Sequence, residues 1–347
     1  MIRGTMSADS LASPDFRQPE GPILVVGGAG YIGSHTVRML EEGGIPVVVL
    51  DDLSSGHRGV VRAPLIEASL LDRDALAAAF EEWRPRSVMH FAARCLVGES
   101  VENPSLYYQE NVQGAWNLLE AMRASDCQEL VFSSTCATYG VPVAVPITEE
   151  NPQVPINPYG RTKLHIEHMM QDYSRAYGLR FAALRYFNAA GAAPGGDLGE
   201  DHDPETHLIP LVMQVALGQR ESIMIFGDDY PTPDGTCVRD YIHILDLADA
   251  HLRALGRLQE GEKQIACNLG TGEGYSVKQV IDVARTVTGH AIPAVQGPRR
   301  PGDPPELVSG GSLARDLLGW WPTRSSLEEI VRDAWRFHQA HPHGYDD

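Results

Sequence analysis

Three lysines stand against twenty-five arginines in this 347-residue chain, so each lysine draws notice. One of them, Lys163, lies four positions after Tyr159 in Asn157-Pro158-Tyr159-Gly160-Arg161-Thr162-Lys163. Asn157 suits a helix N-cap and Pro158 the first helical position, which puts Tyr159 and Lys163 one turn apart on one face. A free phenol titrates near ~10. An ammonium one turn away and the positive end of a helix both favour the ionised form. Arginine would bring the same charge as a bulky planar fork, where lysine is a compact point. The spacing predicts a tyrosine made to ionise and to work as a general base and acid. A plain surface helix has the same spacing, so the rest of the chain must decide.

A cofactor site is written near the other end of the domain. Apolar residues 23–26 run into Gly27-Gly28-Ala29-Gly30-Tyr31-Ile32-Gly33, and a helix follows through Glu42. Glycines so spaced allow a tight turn and a close backbone approach to a pyrophosphate, which the first helical amides receive. The next strand, 46–50, ends in Asp51-Asp52, where an acid reaches the adenosine ribose. An acid there repels a 2′-phosphate, so the pattern predicts NAD rather than NADP.

Strands and helices alternate around these motifs. We expect strands at 64–68, 87–91, 129–134 and 180–185, and helices at 72–83, 104–124 and 158–177. That rhythm predicts an α/β fold, a Rossmann-type doubly wound parallel sheet, with ligands at the carboxyl ends of its strands. Gly27 to Gly33, Asp51, Phe91-Ala92-Ala93, Ser133-Ser134-Thr135 and Asn188 all fall there. After Asn188 the rhythm breaks in a Gly-, Pro- and Asp-rich stretch. The expected division is a disordered leader (1–20), a NAD-binding Rossmann domain (21–188, with part of 236–270 packing back on it) and a smaller α/β substrate-binding domain (189–347).

Composition narrows the partners. A net charge of −18 argues against nucleic acid, which needs a basic face. No apolar run reaches the ~18 residues of a membrane span. The first twenty residues lack the apolar centre of a signal peptide. Five scattered cysteines without a C-x-x-C fit a reducing cytoplasm. Thirteen histidines are dispersed; His202 and His207 flank acids, but no metal-ligand spacing stands out and no metal is expected.

Further motifs join these: His90-Phe91-Ala92-Ala93, Phe132-Ser133-Ser134-Thr135, Arg185-Tyr186-Phe187-Asn188, Val238-Arg239-Asp240-Tyr241-Ile242-His243 and Arg300-Pro301-Gly302-Asp303. With the glycine loop and the Tyr159–Lys163 pair they resemble the extended short-chain dehydrogenase/reductase family over nearly the whole chain from Pro22. The resemblance implies a NAD-dependent isomerase that inverts C4 of UDP-glucose and UDP-galactose through a 4-keto sugar. It implies Thr135, Tyr159 and Lys163 as catalytic residues. Cofactor contacts would come from Gly27, Gly30, Tyr31, Ile32, Gly33, Asp51, Asp52, Leu53, Ser69, Leu70, Phe91, Ala92, Ala93, Asn111, Ser133 and Phe187, besides Tyr159 and Lys163. Asn188, His207, Leu208, Met224, Phe226, Arg239, Arg300, Asp303 and Leu307 would join Thr135 and Tyr159 around the UDP-sugar.

Three departures from the family pattern carry consequences. Ser69 stands where an aspartate meets adenine, and His207 replaces an asparagine. Leu307 replaces a tyrosine near sugar C2, which leaves room for an N-acetyl group and implies UDP-GlcNAc and UDP-GalNAc as further substrates. A 4-epimerase of UDP-pentoses or UDP-uronates is the alternative. A 4,6-dehydratase is disfavoured, because Cys136-Ala137 follow Thr135 where that enzyme places acids. The resemblance also implies a homodimer paired through helices 104–124 and 158–177.

Overall fold

The computed structural model describes residues 21–300 and 303–346. The leader expected over 1–20 and two residues of the basic turn, Pro301 and Gly302, lie outside the described residues.

The first half of the chain alternates as its pattern predicts. It runs β1 (Ile23–Val26), α1 (Tyr31–Glu42), β2 (Val47–Asp51), β3 (Leu65–Glu67), α2 (Arg73–Trp83), β4 (Ser87–His90) and α3 (Val97–Glu102). Then come α4 (Pro104–Tyr107), a π-helical turn (Tyr108–Gln113), α5 (Gly114–Ala124), β5 (Glu129–Thr135), α6 (Pro158–Tyr177) and β6 (Arg180–Tyr186). The second half carries β7 (Asn188–Ala190), α7 (Leu208–Ala216), β8 (Ile223–Phe226), β9 (Val238–Arg239), β10 (Tyr241–His243), α8 (Ile244–Gln259) and β11 (Gln264–Leu269). It ends with β12 (Tyr275–Ser276), α9 (Val277–Thr288), β13 (Ala294–Gly297), β14 (Glu306–Leu307), α10 (Leu313–Leu318) and α11 (Leu327–Ala340).

Seven parallel strands form the main sheet in the order β11-β6-β5-β4-β1-β2-β3. A strand buried on both faces reads as a continuous apolar run, and β1 does. Successive side chains point to opposite faces. Ile23 and Val25 therefore enter the core packed by α1 and α8, while Leu24 and Val26 enter the core packed by α2, α5 and α6. A third core, built on α7, α9 and α11 with β8, holds the second lobe. The late segment α8–β11 belongs to the sheet: β11 pairs with β6 along its length and α8 lies against α1.

The helix expected without interruption over 104–124 is a chain of three pieces. Its middle is the π-helical turn, in which Asn111 is buried. Such wide turns occur as single insertions inside α-helices, and the expectation of one continuous helix did not include it. Helix α6, by contrast, has the expected ends. Asn157 Oδ1 accepts from the Gly160 amide at 2.8 Å, and Gly178 closes the helix at φ +79°.

Burial places three histidines where they cannot easily charge. His35, His90 and His251 are sealed in the interior, and burial holds their pKa values down to about 4, 3 and 4. Unfolded histidine binds a proton near ~6.5, so the unfolded state takes up protons that the folded state refuses. Stability is then full above pH ~6.5 and falls as the pH drops toward ~4. Each group costs about 1 kcal/mol between pH 7 and ~5.5. In urea titrations over that interval, His251→Phe should lose about 1 kcal/mol less than the wild type. Equal losses would show that His251 protonates within the fold.

Candidate active site

The glycine loop lies across the carboxyl end of the sheet. Gly27 (φ +80°) packs against the segment that follows β4, and a Cβ there would sit 2.4 Å from the Ala92 nitrogen. At Gly33 a Cβ would lie 2.0 Å from the Gly27 oxygen. At Gly30 the nearest atom to such a Cβ, the Gly27 oxygen, is 3.6 Å away, an ordinary contact. Helix α1 begins at Tyr31, Ile32 and Gly33 with no side-chain cap and no acid in its first turn. Its leading amides are therefore left for an anion. Loop and helix together fit the pyrophosphate of NAD.

Asp51 was expected at the ribose, and its side chain first shapes the loop. Its two oxygens accept from the amides of Ala29 and Leu53, each at 2.9 Å, and burial raises its pKa. A carboxylate has about four acceptor positions, so two remain for ribose hydroxyls. Asp52 is exposed and accepts from Ser54; Leu53 between them takes φ +58°. Ser69 accepts from the Leu71 amide at 3.1 Å, and Leu70 is buried in the core. Phe91 and Ala92 donate to the Val26 carbonyl, which leads 91–93 past the loop. Asn111, expected to touch cofactor, has both ends of its amide occupied. Its oxygen accepts from Arg94, and its nitrogen donates to the Arg94 carbonyl and to Thr162. It ties the 94–96 loop to α6.

Thr135 ends β5 and Tyr159 lies in the first turn of α6, with the Thr135 side chain near enough to draw the phenol's pKa down. Thr135 Oγ1 also accepts from the Ala137 amide at 3.1 Å, which fixes its rotamer. Lys163 lies one turn after Tyr159, as expected, but its ammonium is not aimed at the phenol. Nζ donates to the Ser133 carbonyl at 2.8 Å and lies 4.8 Å from the centre of the Phe132 ring. The expected lowering of the phenol is reversed. Burial, then the neighbouring Tyr186, pushes Tyr159 well above its ordinary range, with Thr135 pulling weakly the other way. Burial also draws Lys163 down to about 8. Desolvation opposes both charged forms, and in this pocket it outweighs the charge one turn away.

Beneath these groups lies a buried ion pair. Arg185 on β6 meets Glu167 on α6 through two hydrogen bonds of 3.0 and 2.6 Å. Glu167 also accepts from Ser134 Oγ at 2.6 Å, and Arg185 donates to the Tyr139 hydroxyl. Ser133 Oγ is hydrogen-bonded to the Tyr186 hydroxyl. The strand segment Ser133 to Thr135 is therefore held from both sides.

Across the cleft the second lobe presents its polar groups. Asn188 begins β7 and pairs with β10. Arg239 on β9 forms an ion pair with Asp303, and the Arg300 guanidinium lies 4.0 Å over the Phe226 ring. Met224 is exposed on β8. Leu307 packs against Phe187, Cys136, Tyr139 and Ile147. His207 stands at the N-cap position of α7 without a side-chain capping bond, and Leu208 is turned into the lobe's own core.

The chain that brings the glycine loop and Tyr159 to one edge of the sheet has matches among known proteins. Residues 23–270 match the model of the NAD dependent epimerase/dehydratase family. The chain belongs to that family. It is 54% identical over 324 residues to the UDP-glucose 4-epimerase of Halalkalibacterium halodurans, covering 93% of this chain and 97% of that one. The crystal structure of the UDP-glucose 4-epimerase from Brucella ovis in complex with NAD is 50% identical, with a TM-score of 0.89, over 91% of this chain and 98% of that one. The enzyme from Bifidobacterium longum, solved with NAD+ and UDP, is 36% identical with a TM-score of 0.89, over 93% of this chain and 100% of that one.

Some features of this family member escaped sequence reasoning. The Glu167–Arg185–Ser134 network joins positions far apart in the chain, and nothing local marks it. Glu200, His202, Glu205 and His207 gather their donor atoms within 4.8 Å of one another. The alternation Glu200-x-His202-x-x-Glu205-x-His207 was the available signal. His202 is pushed up to about 10 and His207 well above its ordinary range, against the opposing effect of burial, by hydrogen bonding and charge from the two glutamates.

Proposed function

We propose that Tyr159, Thr135 and Lys163 carry out 4-epimerisation of UDP-glucose and UDP-galactose through a 4-keto sugar. The observation that carries this reading is the Thr135–Tyr159 pair at the carboxyl end of β5, beside a glycine loop whose helix is left uncapped. The activity is an NAD-dependent isomerisation. NAD, when bound, would supply a reversible hydride acceptor for C4 and a cationic ring that adds positive charge to the pocket. Tyr159 accepts the 4-hydroxyl proton as the keto sugar forms and gives it back on the return step. Thr135 keeps the phenol in place and shares a proton with the sugar oxygen. Lys163, anchored on Ser133, would hold the nicotinamide ribose. Asp51, Ser69 and the α1 amides would hold the rest of the dinucleotide.

Asn188, His207, Met224, Phe226, Arg239, Arg300 and Asp303 would grip uridine and diphosphate, arginine being suited to bidentate contact with phosphate oxygens. Only the nucleotide is held firmly, which leaves the keto sugar able to turn. The second lobe is the UDP-sugar side in this reading, and the glycine-loop lobe the NAD side. Purified enzyme given UDP-galactose without added reductant should form UDP-glucose with no net NADH. Accumulating NADH would instead mark a dehydrogenase.

Leu307 supports a wider substrate range. It sits among Phe187, Cys136 and Tyr139 without a hydroxyl of its own, so the wall it forms is shorter than a tyrosine would make it. UDP-N-acetylglucosamine should be epimerised as well, and Leu307→Tyr should cut that turnover by about tenfold or more, sparing UDP-galactose. Absence of N-acetylated turnover in the wild type removes this part.

We also read the enzyme as a cytoplasmic homodimer. Its five cysteines are free, and no helix among the described residues is long and apolar enough to cross a membrane. Tyr108 and Trp116 are exposed in the first of the two helical segments assigned to pairing, and Tyr177 in the second.

A further inference from the structure

The loop 200–207 leads from the Gly- and Pro-rich stretch into α7 and carries four metal-competent side chains in eight residues. His202 Nδ1 lies 3.4 Å from Glu200 Oε1 and 3.6 Å from Glu205 Oε2. His207 Nδ1 lies 2.9 Å from Glu200 Oε1 and 3.2 Å from Glu205 Oε1. Zinc takes imidazole nitrogen and carboxylate oxygen at about 2.0–2.2 Å, so the edges of its tetrahedron measure about 3.3 Å. The four nitrogen–oxygen separations run from 2.9 to 3.6 Å around that edge, and the donor atoms, one from each residue, lie within 4.8 Å of one another. His202 Nδ1 is buried, with the two carboxylates 3.4 and 3.6 Å away. A ring nitrogen between two carboxylates stands where one cation can meet all three donors.

We propose that Glu200, His202, Glu205 and His207 form a structural zinc(II) site, closed by four protein ligands. Two carboxylates balance the charge of the ion, and both imidazoles bind neutral through Nδ1. Glu205 is already oriented, because its Oε1 accepts from the amides of Thr206 and His207 at 2.6 and 2.7 Å. Two nitrogens with two oxygens and no sulfur suit zinc, and a closed set of four leaves no position for water. The site touches both lobes. The ring of Tyr31, first residue of α1, has its centre 6.4 Å from that of His202, and its hydroxyl donates to the Gly191 carbonyl at 2.7 Å. Zinc would thus fasten the 200–207 loop between the glycine loop and the start of α7. Ligation through Nδ1 leaves Nε2 of His207 as the atom for a substrate contact.

The test is metal binding by the full chain, which stands apart from any assay of sugar turnover. Chelator-stripped protein titrated with Zn2+ against a chromogenic chelator should bind one zinc with submicromolar Kd. The pair His202→Ala and Glu205→Gln should weaken this by about a hundredfold or more. Cys95→Ser, which removes the exposed thiol, should leave it unchanged. X-ray absorption of the wild-type zinc protein needs no variant and should show two imidazoles, two oxygens and no sulfur. No binding at micromolar zinc, sulfur in the shell, loss of zinc in Cys95→Ser, or unaltered affinity in the double variant would each overturn the proposal.

Discussion

Tyr159→Phe should turn over UDP-galactose about a thousandfold more slowly than the wild type while keeping its fold and its bound NAD. The change removes one oxygen from a half-buried ring, so packing is spared. Proton transfer at the sugar 4-oxygen then has no residue with both the position and the chemistry of the phenol. Thr135 is next to it but is far too weak an acid to replace it. Turnover under saturating substrate, with NAD content measured on the released dinucleotide, separates the two roles. Full NAD content with turnover lowered by less than tenfold would mean another group moves the proton. The raised phenol makes the comparison sharper, because burial holds the hydroxyl neutral and positive charge brought by bound NAD must offset that burial.

The second large effect concerns stability. Glu167→Ala should destabilise the protein by about 3–5 kcal/mol, read as a lower urea midpoint. Its side chain is 1% exposed and that of Arg185 is 6% exposed, so removing the acid strands a guanidinium in the interior. Ser134 Oγ loses its acceptor at the same time. Ser133 and Thr135 flank that serine, so the loss should reach the site, with turnover falling more than folding alone explains. A cost under about 1 kcal/mol would show that water or another acid satisfies Arg185.

What could be read from the sequence was what local chemistry dictates. Asn157, Pro158 and Gly178 mark the ends of α6 because caps and left-handed closures act within a few residues. The apolar run 23–26 signals two-faced burial in the same local way. The π-helical turn at Asn111 was hidden because its reason lies in Arg94 and Thr162, both distant in sequence. The electrostatics of Tyr159 and Lys163 were misjudged for a related cause. Helical spacing fixes how near two side chains start, but burial comes from the whole pocket, and the Ser133 carbonyl decides where the ammonium ends. The Glu200–His207 group needed a fold in the loop before its atoms could meet.

The pairing of β11 with β6 also bears on how the polypeptide is made. During synthesis β6 emerges with one side unpaired and stays so until the chain has been extended through Leu269. An unpaired edge of backbone donors and acceptors invites association with other chains. The nascent enzyme is therefore most vulnerable over the translation of the intervening lobe. A gene interrupted anywhere in that interval would yield a product with an open, adhesive border rather than a smaller working unit.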